Sequence, residues 1–167
     1  MSIEVNIIKK FNCLGISKHV VLVAGAAEGR TKLNSFDNAL IKAGINDYNL
    51  IKVSSILAKG TKIEKIKIIN QVEKSSFVPC VLAKVYGKKG EKISAGIGVS
   101  LSKQGIGFVA EESGKNISKK KLLMSLNRKL KEMANKRGTK LTKNTCVLIS
   151  YTCKVPSRAI AGLVYIF

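Results

Sequence analysis

The chain has 167 residues, of which 46% are hydrophobic and 24% charged, and its formal net charge is +20 at pH 7. This length and composition are typical of one folded domain and exclude an intrinsically disordered chain. No apolar run reaches the roughly 18 to 20 residues that a membrane span needs, so we expect a soluble cytoplasmic protein.

Seven segments rich in β-branched residues follow one another along the chain, separated by glycine and lysine, and each is predicted to be a β-strand. The predicted strands cover residues 19–25, 49–56, 79–87, 93–102, 106–112, 145–153 and 158–167. Two further segments space their apolar residues as one face of an α-helix does. This order of elements predicts a single α+β domain, residues 1–167, in which helices cover largely antiparallel sheets.

The two predicted helices have recognisable ends. The first is expected to begin at Asn34 or Ser35 and to end at Gly44. Asp37 would then lie in its first turn, where a carboxylate interacts favourably with the helix dipole. The second helix spans residues 118–138, with a serine as its N-terminal cap and a glycine at its end.

Positive charge is concentrated in the second part of the chain. Residues 1–54 contain seven Lys+Arg and four Asp+Glu, whereas residues 55–167 contain 23 and six. From Lys115 to Lys143, eleven basic residues stand against one acid, Glu132. Such a segment can follow a phosphate backbone, so binding to nucleic acid stays open. A solvated helix face is the favoured interpretation, because the segment lacks the aromatic or arginine-rich elements that read RNA.

Four cysteines and one histidine limit the chemistry that side chains can supply. Cys13, Cys80, Cys146 and Cys153 form no CxxC pair, and His19 has no partner at metal-ligand spacing. We therefore expect reduced core thiols, no zinc or haem site, and no catalytic triad built on histidine.

Several short motifs occur in a specific order. Between residues 23 and 56 the chain reads VAG, EG, T-x-LN-x-FD-x-AL-x-x-AGI and NLI-x-x-SSI. The motifs VP, GE-x-ISA and G-x-x-x-E-x-x-GK follow at residues 78–79, 90–95 and 107–115. On these motifs the chain resembles the pyruvoyl-dependent arginine decarboxylases, densely from residue 20 to 56 and more loosely to about residue 137.

The resemblance implies that the paired serines are a site of self-cleavage. The Ser55 hydroxyl would attack the Ser54 carbonyl, and β-elimination would then cut the chain into 1–54, the β chain, and 55–167, the α chain. Ser55 would become a covalent pyruvoyl group, the only cofactor. Through a Schiff base with the substrate α-amine, this group would convert L-arginine into agmatine and carbon dioxide.

The resemblance also implies residue roles, a fold and an assembly. Asn49 would position a carbonyl during cleavage, and Glu111 would protonate the substrate carbon after carbon dioxide leaves. Asp37 would bind the guanidinium through paired hydrogen bonds, and Leu33 would line the apolar side of the same pocket. The expected fold is a four-layer α/β/β/α sandwich, assembled as a homotrimer or higher oligomer with active sites between protomers and without a metal.

Two departures from the family pattern keep alternatives open. The segment 57–60 reads LAKG where the family usually has proline, and a net charge of +20 repels cationic arginine at long range. Within the same enzyme class, the alternative is a pyruvoyl decarboxylase of another amino acid such as histidine. From a different class, the alternative is a processing-deficient relative that binds nucleic acid through its basic C-terminal half.

Overall fold

The computed structural model describes residues 15–65, 72–103 and 105–167, which form nine strands and two helices. The strands are β1 (His19–Glu28), β2 (Asn49–Lys52), β3 (Ile56–Leu57), β4 (Lys62–Lys65), β5 (Phe77–Gly87), β6 (Lys92–Ser102), β7 (Gly107–Lys115), β8 (Leu141–Thr152) and β9 (Ser157–Ile166). The helices are α1 (Lys32–Ala43) and α2 (Lys119–Asn135). The predicted α+β class is confirmed.

The strands form two sheets. A five-stranded sheet has the order β2-β5-β9-β1-β4, and a four-stranded sheet has the order β3-β7-β6-β8. Among the described strands, the pairs β1–β4 and β2–β5 are parallel. The remaining neighbours are antiparallel, as the sequence pattern predicted.

The predicted strand 49–56 is wrong in one respect that matters for function. Strand β2 ends at Lys52 and pairs with β5, whereas β3 begins at Ile56 and pairs with β7 of the other sheet. Residues 53–55 therefore connect the two sheets and bend between them. An apolar run cannot reveal such a crossing, because both halves of the run bury side chains.

The short strand β4 was not predicted, because three of its four residues are charged.

Helix α1 begins earlier than predicted. Thr31, and neither Asn34 nor Ser35, is the N-terminal cap, since its hydroxyl accepts the Asn34 amide hydrogen at 3.0 Å. Asp37 is consequently in the second turn, beyond the reach of the helix-end dipole. The first turn contains one apolar residue, Leu33, which is exposed, and for that reason the apolar period did not reveal it. The predicted end is confirmed, because Gly44 takes the left-handed conformation with φ 73°.

Helix α2 begins after Ser118, as predicted. The Ser118 hydroxyl accepts the Lys121 amide hydrogen at 3.2 Å. The helix ends at Asn135, and Gly138 follows in a turn with φ 59°. The buried stripe consists of Leu122, Leu126, Leu130 and Ala134, which follow one another at intervals of four residues. Neither described helix is long and apolar enough to cross a bilayer.

Three hydrophobic clusters hold these elements together. The first lies between the sheets and takes Val20, Leu22, Val81, Ala161 and Leu163 from one sheet and Leu57, Ile93, Ile97, Val99 and Val109 from the other. The second joins α1 to the five-stranded sheet through Val21, Val23, Ala39, Leu40, Ala43, Ile160 and Val164. The third joins α2 to the four-stranded sheet through Phe108, Ala110, Leu126, Leu130 and Ala134. Each sheet is thus covered by one helix.

The cysteines and the histidine have ordinary environments in the described residues. Cys80, Cys146 and Cys153 are free thiols, and burial raises the pKa of Cys80 to about 11. Cys13 lies outside the described residues. His19 Nε2 lies 2.9 Å from Glu64 Oε2, which joins the edge strand β4 to β1.

Gly25 of β1 allows α1 to lie directly on the sheet. A Cβ at this position would stand 2.3 Å from the Ala39 carbonyl oxygen and 2.7 Å from the Ala43 nitrogen. We expect Gly25→Ala to lower the free energy of unfolding by about 1 to 3 kcal/mol, because helix backbone must move. The measurement is urea denaturation. The matched control is Gly98→Ala, where the nearest atom is Leu126 Cβ at 3.2 Å, and an equal loss in the two variants would contradict the prediction.

Candidate active site

The serine pair lies at the crossing between the two sheets. Ser54 is exposed and Ser55 is half-buried, and Ser55 forms the bend between β2 and β3. Within the described part of the chain, the Ser54 hydroxyl and backbone make no hydrogen bond. The peptide bond between the two serines is therefore free to change geometry, in contrast to the paired backbone of the strands on either side.

The chain is anchored immediately before and after this peptide bond. On the upstream side, the Val53 amide donates to the Cys80 carbonyl oxygen at 3.0 Å. On the downstream side, the Val109 amide donates to the Ser55 carbonyl oxygen at 3.0 Å. Because Cys80 and Val109 belong to different sheets, the two ends of the bond are held independently.

A cavity of about 330 Å³ opens beside the pair. It is lined by Gly15, Ile16, Ser17, Val53, Ser54, Ile56, Ala58, Pro79, Tyr165 and Phe167. The Tyr165 hydroxyl donates to the Ile56 carbonyl oxygen at 3.0 Å, which adds a second anchor downstream of Ser55. Burial raises the pKa of Tyr165, so this hydroxyl keeps its proton over the physiological range.

Glu111 of β7 lies close to the serine pair. It is two residues from Val109, whose amide binds Ser55, and residues i and i+2 of a strand share one face. Lys52, two residues before Ser54, donates to Glu111 Oε1 at 2.8 Å. The second oxygen, Oε2, is buried and has no partner among the described residues. An unpaired buried acceptor is costly, so this atom is available to accept a hydrogen bond from a bound molecule.

The neighbouring Glu112 faces the opposite way, as strand alternation predicts. Its carboxylate accepts hydrogen bonds from Ser125 and Lys129 of α2. Burial alone would raise the pKa of Glu112, but these two hydrogen bonds lower it. Glu112 therefore links β7 to α2, while Glu111 faces the sheet crossing.

The structure does not bring the remaining predicted residues to the serine pair of the same chain. Asn49 begins β2, about 16 Å of extended chain before Ser54, and its side-chain amide donates to the Ser75 carbonyl oxygen at 2.8 Å. Leu33 is 74% exposed, and Asp37 is exposed four residues later on the same face of α1. The Asp37 carboxylate makes no hydrogen bond or ion pair with other described residues.

Lys52 and Tyr165 occupy positions that no sequence motif singles out. The one signal for Lys52 is a charged residue within an otherwise apolar run just before the paired serines. Tyr165 lies more than a hundred positions after Ile56, and a contact of that range follows only from the folded chain.

Comparison with known proteins supplies an independent result. The family model of pyruvoyl-dependent arginine decarboxylases, PvlArgDC, matches residues 19–165. The pyruvoyl-dependent arginine decarboxylase of Methanothermobacter thermautotrophicus is 36% identical over 148 residues, covering 88% of this chain and 95% of that protein. Those of Pyrococcus abyssi and Methanopyrus kandleri are 33% and 35% identical, covering 88% and 82% of this chain and 94% and 87% of those proteins. The similarity therefore extends over both sheets and both helices.

Proposed function

This chain belongs to the family of pyruvoyl-dependent arginine decarboxylases, and on that premise we propose that it is a self-processing enzyme that converts L-arginine into agmatine and carbon dioxide. The observation that supports this most directly is the serine pair, which links two strands of different sheets and in which Ser54 makes no hydrogen bond to other described residues. Glu111 lies beside it, and one of its carboxylate oxygens has no partner among the described residues.

Self-processing uses the two serines in different ways. The Ser55 hydroxyl attacks the Ser54 carbonyl carbon, the peptide becomes an ester, and elimination at Ser55 releases 1–54, which ends in a carboxylate. The dehydroalanine left at residue 55 tautomerises and is hydrolysed by water, which releases ammonia and leaves the pyruvoyl group. The unpaired Ser54 can tilt toward the hydroxyl, while Val53 and Ser55 stay held to their separate sheets. After cleavage, the new end of 55–167 keeps its hydrogen bond to the Val109 amide.

The residues at the crossing fit a pyruvoyl group, because the group is made from Ser55 itself and no separate binding site is needed. In this family the group supplies a carbonyl that condenses with the substrate amine and accepts electron density as carbon dioxide leaves. Glu111 then returns a proton to the substrate carbon. Lys52 positions Glu111 by holding Oε1, which leaves Oε2 for the proton transfer.

We infer that a neighbouring protomer completes the site. Asp37, Leu33 and Asn49 are exposed in the single chain, and Asp37 and Leu33 share one face of α1. The cavity beside the serines has exposed apolar side chains at its rim, with Ile16 76% and Phe167 64% exposed. A homotrimer would cover these side chains and bring a second chain's guanidinium-binding residues to the pyruvoyl position.

We also infer the four-layer arrangement of the fold. The cluster between the sheets and the two clusters under the helices support the order α1, five-stranded sheet, four-stranded sheet, α2. In this arrangement the serine pair passes between the two central layers, and α1 is an outer layer able to face another protomer.

A cytoplasmic location is part of the proposal. Three described cysteines are free, and a reducing compartment is where unpaired thiols persist.

The basic segment 115–143 does not alter the proposed function, since several of its cations have structural contacts. Lys115 pairs with Glu91, Lys129 pairs with Glu112, and Arg137 stacks on Phe108. These contacts support the interpretation of the segment as a solvated helix face with structural ion pairs.

Replacing Asp37 with asparagine tests the substrate. We expect Asp37→Asn to cleave normally and to lose about tenfold or more in kcat/KM for arginine, because a charge-assisted hydrogen bond pair is removed. Asp47→Asn is the matched control, since Asp47 is also exposed and its carboxylate contacts Lys74 and Asn46, away from α1 and the serine pair. The measurement is arginine-dependent release of carbon dioxide. Turnover of histidine without turnover of arginine would contradict the substrate and leave the family unchanged.

A further inference from the structure

Three cations and two aromatic rings form a stack beside α1, on the face of the five-stranded sheet that α1 covers. The Arg158 guanidinium carbon lies 5.3 Å from the centre of the Phe36 ring and 5.7 Å from that of Tyr86. Lys84 Nζ lies 5.3 Å from the Phe36 ring centre, and Lys32 Nζ lies 5.3 Å from that of Tyr86. We call these five residues the cation-aromatic cluster.

The charges of the cluster have no anionic partner. In the described part of the chain, the ion pairs use other lysines, and none involves Lys32, Lys84 or Arg158. The Nε of Arg158 is buried and has no hydrogen-bond partner among the described residues. Loss of hydration lowers the pKa of Arg158, and the neighbouring Tyr86 opposes this shift.

This arrangement is unfavourable by itself. Like charges within one Debye length repel each other, and a buried N–H without an acceptor loses its hydration. The ring faces attract the cations, but they cannot accept the Nε hydrogen as an oxyanion does. A bound anion would remove the repulsion between the three cations, and it would also accept the Arg158 Nε hydrogen.

We propose that the cation-aromatic cluster is a binding site for a phosphate group, either free phosphate or that of a small phosphorylated molecule. A guanidinium presents parallel donors that match phosphate oxygens, and the two ammonium groups add positive charge on either side. Three cations at one place match the double negative charge of a phosphate better than the single charge of a carboxylate. The five residues lie on α1, β5 and β9 alone, so the cluster suits a single phosphate group better than a polymer.

The site has a consequence that rests on the proposed function. Phe36 of the cluster directly precedes Asp37 in α1, and Lys32 directly precedes Leu33. A phosphate bound here lowers the positive potential next to the carboxylate that is proposed to hold the guanidinium. We therefore expect phosphate to lower the KM for arginine.

Titration with inorganic phosphate tests the binding site without any turnover. The full chain is titrated by calorimetry at constant ionic strength, with chloride as the balancing anion. We expect saturable binding to the wild type that is about tenfold weaker in Arg158→Met and weakened in Lys84→Met, since hydrogen bonds to charged groups are lost. Lys84 is exposed, so its variant does not depend on core packing. Lys120→Met, an exposed lysine on α2, is the matched control and should bind like the wild type.

Three outcomes would overturn the site: no saturable phosphate binding to the wild type, an equal loss in Lys120→Met, or an oligoribonucleotide that binds through Lys84 and is not displaced by phosphate. Competition by glycerol phosphate would support a phosphorylated molecule as the natural ligand, and its absence would support free phosphate. If phosphate binds and arginine is not decarboxylated, the site stands and the proposed function fails. If arginine is decarboxylated and phosphate does not bind, the proposed function stands and the phosphate site fails.

Discussion

We expect the replacement of Ser55 with alanine to leave this protein as one intact chain, whereas the wild type is expected to separate into 1–54 and 55–167. Alanine has no hydroxyl to attack the Ser54 carbonyl, so neither the ester nor the elimination can follow, and the loss of cleavage is complete. Intact-mass spectrometry measures this directly, because the proposed wild-type fragment 55–167 would begin with a pyruvoyl group and not with serine. Decarboxylation of arginine is lost together with cleavage.

The neighbouring serine is the control for this result. Ser54→Ala keeps the carbonyl that is attacked and the Ser55 hydroxyl that attacks it, so cleavage persists at the same peptide bond. Both substitutions remove one hydroxyl from adjacent positions of the same bend, which makes loss of folding an unsuitable explanation for a difference between them. Cleavage of the Ser55→Ala chain at residue 54, or an uncut wild type after prolonged incubation, would refute self-processing.

The missing proline after the serine pair has a structural substitute. Gly60 takes the left-handed conformation with φ 75°, and the Thr61 hydroxyl donates to the Ala58 carbonyl oxygen at 2.7 Å. Leu57 is buried in the cluster between the sheets. A glycine turn closed by a threonine therefore restricts this segment in place of the rigid ring, and the departure from the family pattern leaves the bend at Ser55 well anchored.

The sequence predicted local features well and contacts across the fold poorly. Strand and helix periods identified most elements, and ordered motifs located Ser54, Ser55 and Glu111. The sheet crossing at residues 53–55 was not predictable, because it depends on which strand each half of an apolar run pairs with. The ion pair between Lys52 and Glu111 joins residues 59 positions apart in different sheets, so it follows from tertiary packing alone.

The ion pair also has a consequence for the cleaved protein. In the proposed processing, Lys52 would belong to 1–54 and Glu111 to 55–167, so their contact would connect the two chains. Together with the pairing of β2 and β5, it keeps the short chain in place once the peptide bond is lost. Lys52 therefore has two proposed roles: it positions the proton donor Glu111, and it helps to hold the chain 1–54 on the chain 55–167.

Replacing Glu111 with glutamine is the second substitution with a large expected effect, a loss of turnover. We expect Glu111→Gln to lower kcat for arginine by about 10² to 10⁴, because the amide keeps the shape of the side chain but cannot return a proton to the substrate carbon. The variant should still be processed to completion, since the attack by Ser55 does not use Glu111 as the carbon acid. Carbon dioxide release by the purified, fully cleaved variant is the measurement.

Glu112→Gln separates catalysis from structure. Its carboxylate lies one residue away, but it binds Ser125 and Lys129 on the other face of β7. This variant should lose stability, because hydrogen bonds to α2 are weakened, and it should keep kcat within a few-fold of the wild type. Equal losses of kcat in the two variants would mean that negative charge on β7, and not a proton at Glu111 Oε2, supports turnover. A large loss confined to Glu111→Gln follows only if that unpaired oxygen faces the reacting carbon.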